Sequence, residues 1–348
     1  MWIDYLLTLI IPLTSVIIWE GKNKLQNNAD ELFSKDYTTV LKGVCCIIVV
    51  MVHVKGAYQN ILQDTIGSFG FVCVTLFFMV SAYGMQRSVE RKPNYLRHFW
   101  RNRLLALLIP CLLINICFYL INRLSGGNAS VKTLLHINNY VVVLLGYCLW
   151  FYLVMKAKEW LKIQHTWMTD LLLATGVILS SLYSYYSVKP GVVSAELGWC
   201  YERWGLVWGL LMYRFLPIIK QWLVGSRMKK LILFSFLALV VGVAYLKYKD
   251  VYFYGEYLLK ITLGIVIITW MLLLTVKRKY GNRISLYLGN ISYEVYLSHG
   301  MVMSVLASFC PQLSSGMFIF ITYLVTILFS MGIYSISSRL VKKWRYVS

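Results

Sequence analysis

Five ionisable side chains lie well inside long apolar runs of this 348-residue chain: His53, Glu202, Arg203, Glu294 and His299. Holding such a group in an apolar medium costs free energy, so position alone makes each a candidate for chemistry. An imidazole held there can take a proton from a hydroxyl, or can itself carry a transferred group. Glu202 and Arg203 are adjacent, about 100° apart around a helix, and so point different ways rather than pairing. Either suits contact with a polar substrate or the orientation of a histidine. Glu256 and Lys260 lie nearer the end of another run, while His98, His136 and His165 sit in or beside connecting segments.

Spacing groups some of these residues. His53 follows Lys42 by eleven positions. On a helix that is three turns plus about 20°, which puts both side chains on one face about 16 Å apart. The same pattern also suits a core histidine bonded to a neighbouring helix. Ser292, Tyr296 and His299 follow an i, i+4, i+7 spacing and form one polar stripe, which must face protein or a water-filled cavity. Arg101 and Arg103 open another run at the N-terminal end of its helix, where the dipole also favours anions such as a phosphorylated ligand. A plain basic anchor fits them as well.

The elements that must position these groups follow from composition. Apolar residues make up 59% of the chain and charged ones 14%, with a mean hydropathy of +0.65. A soluble domain of this size needs more charge to coat its surface. The apolar runs fall at about 2–20, 38–58, 66–86, 102–122, 136–155, 168–187, 196–215, 229–248, 256–276, 286–308 and 316–340. Each is close to the roughly 20 residues that cross a bilayer as a helix. A barrel would show short alternating segments instead. The expected fold is an all-α integral membrane protein, a polytopic bundle of about 10–11 transmembrane helices, with no loop long enough to hold a separate catalytic domain.

The excess of 34 Lys and Arg over 14 Asp and Glu reads as topology rather than as a nucleic-acid surface. If the first run starts outside, the inside segments collect most of the basic residues, among them Lys22, Lys24, Arg87, Arg91, Lys156, Arg214, Lys277 and Arg339. The outside segments keep only Lys55, Arg123, Lys132, Lys189, Lys247 and Lys249. This asymmetry places the N-terminus outside and the C-terminus in the cytoplasm of a multi-pass inner (cytoplasmic) membrane protein. The start, Met1-Trp2-Ile3-Asp4, has neither a basic n-region nor a cleavage site, so the first run is expected to be retained. The eight cysteines show no C-x-x-C pair and no spacing with histidine suited to a metal, and are expected to be reduced and buried. No metal is expected.

Together these segments resemble the acyltransferase 3 family of integral membrane acyltransferases. The family's Arg-x10-His element is similar to Lys42…His53, with lysine in the arginine position. Its "FF-x-x-S-G" element resembles Phe77-Phe78-Met79-Val80-Ser81-Ala82, with alanine for glycine, and its paired arginines ahead of a proline resemble Arg101, Arg103 and Pro110. Its late "S-Y-x-x-Y-L-x-H" element is similar to Ser292-Tyr293-Glu294-Val295-Tyr296-Leu297-Ser298-His299. The resemblance divides the chain into an extra N-terminal transmembrane anchor with a cytoplasmic loop at 1–36 and a membrane acyltransferase domain at 37–348.

The resemblance implies an O-acyltransferase, in particular an O-acetyltransferase, that moves an acyl group from cytoplasmic acyl-CoA to a hydroxyl of a cell-envelope polysaccharide or lipid-linked sugar. It implies His53 as the catalytic residue, as general base or acyl carrier. Acetyl-CoA would be a co-substrate, with no permanently bound cofactor. Lys42, Arg101 and Arg103 would form a basic rim for the donor's phosphates, and the Lys42–His53 step is comparable to an extended pantetheine arm. His299, Glu202, Arg203, Tyr296 and Ser292 would support the acceptor side. The partners are then acyl-CoA, the glycan and the lipid bilayer. Lysine at 42 keeps the charge but lacks the guanidinium fork that grips phosphate, which also leaves room for an inactive family member. A transporter or flippase for a lipid-linked sugar would show repeated halves or a wide polar cavity. A glycan polymerase would be expected to have a long outer loop.

Overall fold

The computed structural model describes residues 2–17, 32–54, 56–58, 60–127, 130–187, 198–277 and 280–346, and among these the chain is helical without strands. Lys22, Lys24, Lys55, Lys189 and the first part of the run at 196–215 lie outside the described residues. The principal helices are α1 (Leu6–Ile17), α2 (Lys35–Val52), α3 (Phe71–Arg91), α4 (Phe99–Leu124), α5 (Asn139–Trp160), α6 (Thr166–Tyr186), α7 (Trp204–Arg214), α8 (Arg227–Tyr248), α9 (Lys260–Thr275), α10 (Arg283–Asn290), α11 (Ser292–Phe309) and α12 (Ser315–Tyr346).

Among the described residues, seven segments are long and apolar enough to cross a membrane: Gln63–Arg91, Tyr95–Leu124, Asn139–Trp160, Thr166–Tyr186, Arg227–Tyr248, Tyr254–Thr275 and Ser315–Trp344. The chain is an all-α polytopic membrane protein. The other expected runs depart from a plain apolar span, each for a local reason. The run at 38–58 is helical only to Val52, because the chain turns at His53 and Gln63 Nε2 donates to the Met51 carbonyl oxygen at 2.9 Å. That bond satisfies an acceptor which a continuing helix would otherwise have used. The run at 286–308 breaks at Ile291, between α10 and α11, and Glu294 and His299 lower the hydropathy of α11. The run at 196–215 is helical only over the 11 residues of α7. The first run is described to Ile17, where Asn282 Nδ2 donates to the Ser15 carbonyl oxygen at 2.6 Å.

Two close helix contacts set the frame. Helix α2 lies alongside α10 and α11: Gly43 faces the Ser285 carbonyl, Cys46 lies against Leu288, and His53 meets His299. A side chain at Gly43 would collide with backbone. Helix α7 lies on α3 in the same way, with Gly205 over the Thr75 carbonyl and Gly209 over Met79 and Ala82. This is the small-xxx-small contact by which helices approach within lipid. Ala82, which stands where the resembled motif has glycine, thus packs opposite a glycine on the partner helix. At the far end of these helices, Arg214 holds Asp170 of α6 at 2.6 Å and Glu90 of α3 at 3.2 Å.

Candidate active site

His53 occupies the C-cap of α2, just where the helix stops, and is exposed rather than embedded in mid-helix. Its Nδ1 lies 2.9 Å from the Val49 carbonyl oxygen. A carbonyl only accepts, so in the neutral ring Nδ1 carries the proton and Nε2 keeps its lone pair. His299 repeats the arrangement one helix away, with Nδ1 3.2 Å from the Val295 carbonyl oxygen. The two rings face each other, with centroids 4.7 Å apart at 60°. His299 is the buried member of the pair at 6% exposure. Each histidine is thus oriented by the turn of helix beneath it and presents Nε2 as a base.

His53 lines a cavity of about 320 Å³ together with Ser68, Phe71, Trp199, Tyr201, Glu202, Tyr245 and Lys260. Glu202 is 2% exposed, and its Oε2 has no hydrogen-bond partner among the described residues. Lys260 opens α9 directly after a π-helical stretch, Tyr254–Leu259. Such widened turns commonly occur at functional sites. Its Nζ donates to the Tyr201 hydroxyl at 3.0 Å and stands 4.2 Å from that ring's centroid. Gly198 and Trp199 both adopt a φ of +58°, a strained backbone for a tryptophan.

The remaining sequence candidates divide into three groups. Tyr296 belongs to the histidine cluster, its ring 5.9 Å from His299 and 4.9 Å from Tyr140. Ser292 is buried, and its hydroxyl donates back across the break at Ile291 to the Gly289 carbonyl of α10 at 2.8 Å. Arg203 turns away from the cavity: it donates to the Ser180 carbonyl at 2.8 Å and the Gly198 carbonyl at 2.9 Å, tying α6 to the turn that carries Trp199. The adjacent pair therefore does point apart, with Glu202 toward His53.

Lys42, Arg101 and Arg103 do not line this cavity. Arg103 donates to the Tyr95 hydroxyl at 3.0 Å and stands 5.8 Å from the centre of the Phe99 ring, and Arg101 is half-buried in the first turn of α4. Lys42 lies within electrostatic reach of Cys46 and Glu294, and Glu294 accepts from Ser337 at 3.3 Å. Among the described residues no group of three or more His, Cys, Asp or Glu side chains could hold a metal. The cysteines are free, but Cys310 is exposed and Cys117 half-buried, so the expectation that all are buried fails at these two. Cys310 follows the end of α11, where the helix has left the bundle core.

The motifs lie in order along one continuous stretch of chain, and a family model described as an acyltransferase domain, acyltransferase 3, matches residues 36–335. The chain belongs to the acyltransferase 3 family. It is accordingly a membrane acyltransferase. No curated protein and no solved structure gives a significant match. The sequence patterns assign no role in this acyltransferase to Trp199, Tyr201, Tyr245 or Lys260. The available signal is Lys260 itself, a cation in an apolar segment that requires an opposite charge nearby, and Glu202 meets that need.

Proposed function

We propose that this acyltransferase transfers an acyl group, in particular acetyl, from cytoplasmic acyl-CoA to a hydroxyl of a cell-envelope polysaccharide or its lipid-linked precursor. The observation that carries the reading is His53: an imidazole oriented by a backbone carbonyl, with Nε2 free of that bond, at the wall of a cavity that also presents a buried carboxylate. In this reading the end of the bundle that holds Arg91, Arg101, Arg103 and Arg214 faces the cytoplasm, and the His53 end faces outward. The C-terminus lies inside and the N-terminus outside. Lys42, Arg101 and Arg103 attract the phosphates of the donor, and the pantetheine arm carries the thioester toward His53.

The acceptor hydroxyl oxygen attacks the thioester carbonyl while its proton passes to His53 Nε2. The tetrahedral intermediate collapses, the C–S bond breaks, and the leaving thiolate takes the proton from the imidazolium. An ester and the free thiol result, with His53 restored. A well-placed base of this kind contributes roughly 10²–10⁴-fold to the rate. His299 lies against the catalytic ring and fixes its tilt.

The test is ester analysis of envelope glycans, by NMR or mass spectrometry, from cells expressing wild type or His53→Ala at equal membrane levels. Loss of the ester in the variant is expected. An unchanged ester content removes His53 from catalysis.

A further inference from the structure

The cavity beside His53 has a charge balance and a lining that bear on which acceptor it takes. Besides His53, the cavity's acidic and basic side chains are Glu202 and Lys260, which are of opposite sign when ionised and lie within electrostatic range of each other. Both are largely withdrawn from solvent, at 2% and 9% exposure. The remaining walls are largely aromatic, from Phe71, Trp199, Tyr201 and Tyr245. Two polar atoms at this site are buried without a hydrogen-bond partner among the described residues, the Glu202 Oε2 acceptor and the Trp199 Nε1 donor. Buried polar atoms ordinarily find partners, so a pair left open beside a cavity points to a ligand that supplies them. The volume, about 320 Å³, is at the small end of ligand pockets and suits one or two sugar rings rather than an extended chain.

We propose that this cavity is the acceptor subsite and that it selects an electrically neutral sugar ring over a uronic acid or a protonated amino sugar. The inference rests on the acyltransferase reading above and adds the class of acceptor. A ring hydroxyl donates to Glu202 Oε2, another ring oxygen accepts from Trp199 Nε1, and the apolar faces of the ring lie against the aromatic walls. Glu202 and Lys260 neutralise one another, so a neutral ring leaves the site uncharged. A carboxylate or an ammonium on the sugar would add a net charge in a poorly solvated place, which is strongly unfavourable without its own partner. The left-handed backbone at Gly198 and Trp199, anchored by Arg203, turns the indole toward this space.

The experiment measures binding without a donor, by saturation-transfer NMR on the purified full chain in nanodiscs. The probes are methyl glucopyranoside, methyl glucuronide and methyl glucosaminide. Wild type should bind the neutral glycoside at least tenfold better than either charged one. Glu202→Gln, nearly isosteric, makes the site net positive and should shift the preference toward the glucuronide by at least tenfold. Lys260→Met should shift it toward the glucosaminide. Lys132→Met removes an exposed charge outside the cavity, so it should keep the wild-type order. Preference for a charged glycoside by wild type, absence of binding by all three, or an order unmoved in both charge variants would each overturn the proposal. Wild-type binding in the expected order with no ester formed in cells would count against the transfer reaction alone, whereas ester formation with a glucuronide preference would count against the subsite alone.

Discussion

At the scale of single residues, chemistry depends on which imidazole nitrogen holds the proton. The Val49 and Val295 carbonyls decide that for His53 and His299, and leave Nε2 of each ring as the basic atom. Glutamine at either position fills similar space and keeps hydrogen bonding but lacks a titratable nitrogen. His53→Gln is therefore expected to be as inactive as His53→Ala, measured as transfer from acetyl-CoA by protein in nanodiscs. His299→Gln should remain folded and lose about 10–100-fold in turnover, with little change in acceptor KM, because it supports the reacting ring without replacing it. An equal loss in both variants would make His299 a second reacting base. His53 was legible in the sequence as a histidine where none should be, whereas its place at a helix end was not. The turn after Val52 depends on Gln63, twelve residues away from the carbonyl it satisfies, and hydropathy has no access to such a bond.

At the scale of elements, the apolar runs announced most helices, since a twenty-residue apolar stretch has few other stable states in lipid. Where the runs misled, a polar side chain or a short helix was the cause. Helices α2 and α11 carry Lys42, Glu294 and His299 and so look less like spans, yet they form the wall that brings the histidines together. Glycine contacts, too, are visible in sequence only as spacing, as at Gly205 and Gly209, while the partner helix is not. Gly205→Val would drive a branched side chain into the Thr75 carbonyl. It should cost about 1–3 kcal/mol, read as a lowered unfolding midpoint in detergent, and should disturb Glu202 and the cavity with it. The matched control is Leu206→Val at the next position, which only trims a buried side chain and should cost about 1 kcal/mol. A Gly205→Val protein as stable as that control would show that α3 and α7 have room to separate without penalty.

For the whole molecule, the basic residues gather at one end of the bundle and the histidine pair lies toward the other. That distribution was the strongest signal in the sequence after hydropathy, because charge is excluded from the spans themselves. The exposed Cys310 gives a direct test of orientation, since the carbonyl of the next residue, Pro311, accepts from Tyr58, close after His53 in the chain. A membrane-impermeant maleimide should label it in intact cells with the outer surface accessible, and Cys310→Ser should abolish that labelling. Labelling that appears only after the cells are opened would invert the topology and, with it, the side from which the acceptor comes.

The brevity of α7 has a geometric consequence. Eleven residues rise about 16 Å, roughly half of a ~30 Å hydrocarbon layer, and the helix is moored at its far end by Arg214. The turn bearing Trp199 and Glu202 is set among other helix ends: Tyr201 packs on Phe71, the first residue of α3, and accepts from Lys260, the first residue of α9. A pocket framed in this way takes its shape from capping turns rather than from the long spans, so exchanges at those ends should recast its lining while the frame beneath stays as it is.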